Sequence, residues 1–290
     1  MRDSQQQPPP YSIDPLLPSE MAAACERVGV RKANMDAVTL LTLAGLAGAF
    51  ISLGATFFTL TVTGSQLGYG PTRLLGGAAF SLGLVLVIIA GAELFTGNTL
   101  IIMAWASRKV STGLLLRNWA LSYVGNFAGA VLTVLLVYGS RHWEGNGSQV
   151  GATALAVASA KVNLDFGEAV ALGILCNALV GLAVWLSLSG RSNVDKVLGI
   201  IFPISAFVAA GFEHSIANMY FIPLGILLRG ETSALTAANL GAERLADLTW
   251  AGFIVKNLAP VTAGNIIGGA LLVGVIYWFV FQRPGARRGG

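Results

Sequence analysis

Charge is what this 290-residue chain has least of. Only 11% of its residues are Asp, Glu, Lys or Arg, against roughly 25% in soluble domains. Together with 54% hydrophobic residues and a mean hydropathy of +0.70, this excludes a water-soluble globular domain and indicates a polytopic membrane protein. The two cysteines, Cys25 and Cys176, lie one near the N-terminus and one inside an apolar run. They are poorly placed for a disulfide and show no metal-ligand spacing. The two histidines, His142 and His214, are too few for a multi-histidine metal centre. No Lys/Arg cluster suits a phosphate backbone, so no nucleic-acid partner is expected. No cofactor motif is present, so no cofactor is expected either. The N-terminal stretch MRDSQQQPPPYSIDPLLPSE lacks an apolar h-region and a small-residue cleavage site. It reads as a cytosolic tail rather than a signal peptide.

What is abundant is apolar length. A helix needs about 20 apolar residues to cross the hydrocarbon core. Six runs reach that length: 37–63, 74–107, 118–140, 169–190, 197–228 and 257–281. The second is broken only by Glu93, the fifth only by Glu213 and His214. As straight helices these two would rise roughly 45–50 Å, well beyond a core of about 30 Å. Each is therefore expected to be two half-helices meeting at a non-helical segment. With the N-terminus in the cytoplasm, only Arg73, Arg141, Lys161, Arg229, Arg244 and Lys256 fall outside, and the other Lys and Arg residues fall inside. The positive-inside rule thus favours cytoplasmic termini at both ends of an inner-membrane protein.

The two interruptions share a motif. AGAELFTGN (90–98) and AGFEHSIAN (210–218) both read A-G-x-E-x4-N. A shift of 139 residues also matches Asn118, Gly125, Asn126, Gly129 and Tyr138 with Asn257, Gly264, Asn265, Gly268 and Tyr277. The starts of spans one and four agree more weakly, with Asp36-Ala37-Val38 beside Glu168-Ala169-Val170. Spans one to three therefore repeat as four to six. Three is odd, so the second copy enters the membrane upside down. Inverted repeats with a broken helix in each half mark a transport fold whose site lies near the midplane. Non-helical backbone at that depth must line a cavity or be buried in protein, so the breaks, near 93–98 and 211–216, are expected to face each other. The expected organisation is a tail and short helix over 1–34, repeats over 35–140 and 166–281 within a six-span domain of 35–283, and a cytoplasmic tail over 284–290. The glycine pairs Gly125/Gly129 and Gly264/Gly268 have the spacing of close helix packing, within the protomer or at an oligomer contact.

His214 sits in the middle of span five, where a titratable side chain marks a functional site by default. Span two has Leu94 in its place, so the fold itself does not demand histidine. Its ordinary pKa of about 6.5 makes it the natural proton-exchange group. Thr96, in the matching break, offers a hydroxyl to an anion or to the histidine. Glu93 and Glu213 occur in both repeats, which argues for scaffolding, with the carboxylates accepting backbone N–H bonds at the broken ends. Asn98 and Asn218 are expected to tie the same segments. His142 reads as an ordinary surface residue.

With AGFEHSIANMYFIPLG (210–225), AGAELFTGNT (90–99) and LGILCNALVGLAVWL (172–186), the chain resembles the formate/nitrite transporter family over roughly residues 20–283. The resemblance implies an all-α, aquaporin-like protomer of six spans with spans two and five broken, although the NPA signatures of aquaporins are absent. It implies a homopentamer with one pore per protomer and small monovalent anions as substrates. It makes His214 the central pore histidine and favours a pore role for Thr96. It places Leu84, Leu94, Phe95, Val180 and Phe207 at two hydrophobic constrictions. It makes Lys161 an anion attractor in the outer vestibule and puts Asn177 near the pore. An apolar ring opposes a bare ion far more than a neutral acid, so the expected mechanism is proton exchange at His214 followed by passage of the neutral acid. Formate leads as substrate, with nitrite or hydrosulfide as alternatives of the same class. An electrogenic anion channel with a cationic histidine is the rival mechanism, and an aquaporin-like neutral-solute pore the rival function. An intramembrane enzyme built on Glu93, Glu213 and His214 lacks a nucleophile–base pair. The Pro-rich tail reads as either a gate or an inert end.

Overall fold

A computed structural model describes residues 14–284, so the Pro-rich tail and the last six residues lie outside the described part. Among the described residues, six helices are long and apolar enough to cross a membrane: α2 (Ala37–Val62), α3 (Tyr69–Gly91), α5 (Thr112–Gly139), α7 (Phe166–Ser189), α8 (Asn193–Ala210) and α12 (Gly252–Phe281). Two shorter apolar helices complete spans two and five: α4 (Phe95–Ala106) and α9 (Ser215–Leu228). Two further helices, α1 (Pro18–Ala33) and α6 (Gln149–Val162), precede spans one and four. Short helices α10 (Thr232–Ala238) and α11 (Ala242–Leu245) bridge α9 to α12.

Apart from α2, the spans begin a few residues before the charge-free runs do, because Arg73, Arg117, Glu168, Lys196 and Lys256 sit in their first two turns. Side chains at helix ends can keep their charged heads outside the hydrocarbon while the backbone continues as helix. The breaks are also shorter than the sequence motif. Helix is interrupted only over 92–94 and 211–214, and Phe95 and Ser215 already start α4 and α9. Gly91, just before the first break, and Gly211, the first residue of the second, take φ values of +85° and +81°, a backbone that glycine adopts without a Cβ clash.

Repeat symmetry is visible in the packing. A Cβ at Gly129 would lie 1.9 Å from the Gly45 carbonyl oxygen, and one at Gly268 would lie 2.1 Å from that of Ile174. The glycine pairs therefore seat span three on span one and span six on span four, within the protomer. The register of the first spans differs from the expected one: Asp36 and Asp165 are the N-caps of α2 and α7, so Asp36 corresponds to Asp165 rather than to Glu168.

The repeats also reach further towards the N-terminus than 35 and 166. In α1, Met21, Cys25, Gly29 and Ala33 form one buried stripe. Val150, Ala154, Ala158 and Val162 do the same in α6. A Cβ at Gly29 would touch Ala104 of α4 at 3.2 Å, and one at Gly225 of α9 would meet Ala158 at 2.3 Å. Thus α1 backs one half-helix and α6 backs the other. Inside α1, burial pushes the Cys25 thiol up to about 12.

Candidate functional site

Each break is held by a matching set of side chains. Asn126 of α5 accepts from the Phe95 N–H at 2.9 Å. It donates to the carbonyls of Glu93 at 2.9 Å and Ala44 at 2.8 Å. Asn265 of α12 does the same at the other break, with Ser215 N–H at 2.9 Å, Glu213 at 2.9 Å and Gly173 at 2.8 Å. Each amide thereby satisfies one N–H and one carbonyl that an interrupted helix leaves open, which in a membrane interior are costly to leave unpaired, and ties them to a carbonyl inside α2 or α7.

Both glutamates are scaffold residues in contact terms, but their donors differ from the expected ones. No backbone N–H reaches either carboxylate among the described residues. Glu93 takes Asn98 Nδ2 at 2.8 Å and Lys32 Nζ at 3.1 Å. Glu213 takes Asn218 Nδ2 at 2.7 Å, Asn257 Nδ2 at 3.2 Å and Lys161 Nζ at 2.7 Å. The asparagine of each motif then reaches the same position of the third span in its repeat: Asn98 to Asn118 at 3.0 Å and Asn218 to Asn257 at 2.7 Å. The Phe95 and Ser215 N–H groups go to the Asn126 and Asn265 amides instead, and a buried carboxylate requires a countercharge.

Lys32 is the residue that the sequence reading missed. It closes α1 as Lys161 closes α6, and it pairs with Glu93 as Lys161 pairs with Glu213. The signal was present: K-x-N-x-D occurs at Lys32-Ala33-Asn34-Met35-Asp36 and again at Lys161-Val162-Asn163-Leu164-Asp165. The two lysines are not equally occupied. Lys32 also donates to Asn98 Oδ1 at 2.9 Å. Lys161 instead lies 5.5 Å from the centre of the Phe221 ring, and the corresponding Asn218 Oδ1 is buried without a partner. Lys161 therefore keeps more of its donor capacity free.

Between the two breaks, Thr96 Oγ1 and His214 Nε2 are 2.9 Å apart and both residues are buried. The other ring nitrogen is committed. His214 is the N-cap of α9, and Nδ1 accepts from Ala217 N–H at 3.1 Å. An accepting Nδ1 carries no proton, so the neutral ring holds its proton on Nε2 and donates it to Thr96. The Thr96 hydroxyl proton is thereby left for another acceptor. A second proton on the ring would have to displace the Ala217 bond. Asn177 crosses behind this pair, with Nδ2 2.6 Å from the Asn265 carbonyl and 3.3 Å from that of Thr96. Its donors are thus used within the protein.

The five apolar residues of the expected constrictions, Leu84, Leu94, Phe95, Val180 and Phe207, are all buried. Leu84 and Leu94 line the wall of a cavity of about 530 Å³ at the α1 end, together with Lys32, Glu93, Gly97 and Asn98. Phe95, Val180 and Phe207 do not line it. Phe207 lies nearly parallel to the His214 ring, with centroids 5.9 Å apart, and meets Phe80 edge-on at 5.7 Å. Phe95 is fixed edge-on by Tyr123 at 5.0 Å and by Trp119 at 6.3 Å. His142 sits in a short loop turn, half-buried, with Nε2 out of contact with solvent and unpartnered.

The family model described as formate/nitrite transporter matches residues 19–279. The formate channel FocA of Escherichia coli K12 is 46% identical over 274 residues, covering 93% of this chain and 96% of that protein. FocA of Haemophilus influenzae is 41% identical over 271 residues, covering 92% and 94%. Among solved structures, a pentameric formate channel with formate bound superimposes with a TM-score of 0.79 at 43% identity, over 85% of this chain and 98% of that one.

Proposed function

The chain belongs to the formate/nitrite transporter family, whose members are channels and transporters rather than enzymes, and on that premise we propose that it is a homopentameric inner-membrane channel for small monovalent anions, with formate as its substrate. Each protomer holds its own pathway, running from one Lys–Glu–Asn cluster to the other through the Thr96–His214 pair. The observation that carries this reading is the bond between that pair. It joins the two breaks at the centre of the repeats and leaves a hydroxyl proton free to meet an anion.

In this reading an anion enters from the outside beside Lys161, whose charge is balanced by Glu213 and which therefore attracts at short range through its unused donors. At the centre, the Thr96 hydroxyl and the positive ends of α4 and α9 stabilise the negative charge. Asn177 keeps the Thr96 backbone in place from behind. Proton exchange occurs at His214. An imidazolium cannot accept from Ala217, so a protonated ring loses its cap, and handing a proton to formate restores it. The neutral acid then crosses the apolar residues, where a bare carboxylate would be desolvated at high cost. Lys32, Glu93 and Asn98 receive it at the cytoplasmic cavity. The tail and helix over 1–34 and the tail over 284–290 flank the six-span domain on the cytoplasmic side.

Uptake of labelled formate into proteoliposomes, in competition with nitrite, hydrosulfide and chloride, tests the substrate. Formate is expected to enter, nitrite and hydrosulfide to compete, and glycerol to be excluded. Glycerol entry without formate entry would favour a neutral-solute pore. Steady anion current at neutral pH would overturn the neutral-acid route.

A further inference from the structure

We infer that Arg73 is a positioning residue for the central site, holding the end of α8 so that Phe207 and His214 keep their stacked orientation towards Thr96. This rests on the proposed pathway. Arg73 lies in the second turn of α3, a helix whose contact face towards α8 is a single stripe. Gly77 approaches so closely that a Cβ there would lie 2.6 Å from the Ser205 carbonyl oxygen. Ser81 Oγ lies 3.5 Å from the Ile201 carbonyl, and Phe80 meets Phe207. Arg73 and Phe80 are two turns apart and share that face.

Arg73 uses its fork on backbone. Nε donates to the Ala209 carbonyl at 3.1 Å and Nη2 to that of Val208 at 2.5 Å. These carbonyls lie in the last turn of α8, where an ending helix leaves carbonyls short of partners; Val208 also accepts from the Gly211 N–H at 3.1 Å. A cation there also complements the negative end of the helix. The guanidinium lies 5.8 Å over the Phe58 ring, and no carboxylate forms an ion pair with it among the described residues. The held turn is flanked by Phe207 and by Gly211, at φ +81°, and His214 follows three residues later. α3 thus grips the ring stack twice, at Phe80 and at the backbone beyond Phe207.

The other break has no such clamp. Ile88 and Ile89 are the equivalents of Val208 and Ala209 under the motif register, and among the described residues no side chain donates to their carbonyls. That break carries Leu94, which has no ring plane or tautomer to hold. The side with the histidine is the one with the fork. Lysine cannot replace a planar two-point donor, which separates this role from simple attraction of anions.

The experiment uses the full-length chain with His142→Gln, leaving His214 as the only histidine. Nitrogen-15 histidine spectra report its tautomer in detergent or bilayers with no substrate present. Arg73→Lys keeps the charge and breaks the fork. Phe80→Leu loosens the same stack without touching charge. Both variants are expected to convert a single Nε2-protonated spectrum into a tautomer mixture. Both are also expected to lower formate uptake at least fivefold per folded pentamer and to change its pH profile. A single unchanged tautomer with wild-type uptake in Arg73→Lys overturns the inference. So does lowered thermal stability with both readouts unchanged, which would make Arg73 only a packing residue. If the parent protein moves no formate, the proposed substrate fails, while the spectra still decide the role of Arg73.

Discussion

Tyr123 Oη and Thr262 Oγ1 hydrogen-bond at 2.8 Å, and the two residues hold the same place in the two repeats, 139 positions apart like the asparagines beside them. A bond between symmetry mates means that the pseudo-two-fold axis passes between them. Tyr123→Phe removes the hydroxyl and keeps the ring against Phe95. It is expected to cost about 1 kcal/mol of stability, the usual net worth of one such bond. Adding Thr262→Val should cost little more, and a thermal double-mutant cycle in detergent measures the coupling. Fully additive losses would show that the bond is not formed.

The Asn126 and Asn265 amides each satisfy one N–H and one carbonyl at a break and donate to a second carbonyl inside α2 or α7. Replacing either by alanine strands those groups. Each variant is expected to lose about 2–5 kcal/mol, since a buried unpaired polar group costs about 1–3 kcal/mol, and the two losses should be similar. Melting temperatures of the purified variants check this. A large loss at one position with none at the other would break the symmetry argument.

His214→Asn keeps an N-cap acceptor for Ala217, since asparagine is a good cap, and removes the titrating ring. Proton-coupled formate uptake should fall more than formate binding does, and its dependence on pH between about 5 and 8 should flatten around the ring's ordinary range. Thr96→Val removes the hydroxyl and leaves titration in place, so uptake should weaken with the pH profile kept. If His214→Asn retained wild-type rate and pH dependence, the histidine would serve only as a helix cap.

Gly129→Ala places a methyl 1.9 Å from the Gly45 carbonyl oxygen, whereas a Cβ at Gly139, at the end of the same helix, meets nothing within 4 Å. The first change must push spans one and three apart. It is expected to abolish assembly or to cost several kcal/mol, since overpacking typically costs about 1–3 kcal/mol even where neighbours can yield. Gly139→Ala is expected to be neutral. Size-exclusion profiles and melting temperatures separate the two.

Composition and the repeated motif were enough to read six spans, two interruptions and the placing of Thr96 and His214 beside them, with the partner of the Thr96 hydroxyl left open between an anion and the histidine. Those features depend on apolar length, on the cost of a buried glutamate and on equivalence between two copies, all of which are written along the chain. The constriction residues came only with the family resemblance, because a leucine or phenylalanine in an apolar run carries no local mark of lining a path. The sequence set the ends of the breaks four and two residues too late and assigned the wrong donors to Glu93 and Glu213. Helix resumption at Phe95 and Ser215 is decided by Asn126 and Asn265, which lie 31 and 50 positions away. The same holds for Lys32 on Glu93, 61 positions away, and for Arg73 on a carbonyl 136 positions away. Hydropathy determines where a chain must cross a membrane. The choice of partner for each unsatisfied polar group inside it depends on which helices are brought side by side, and only the tertiary structure decides that.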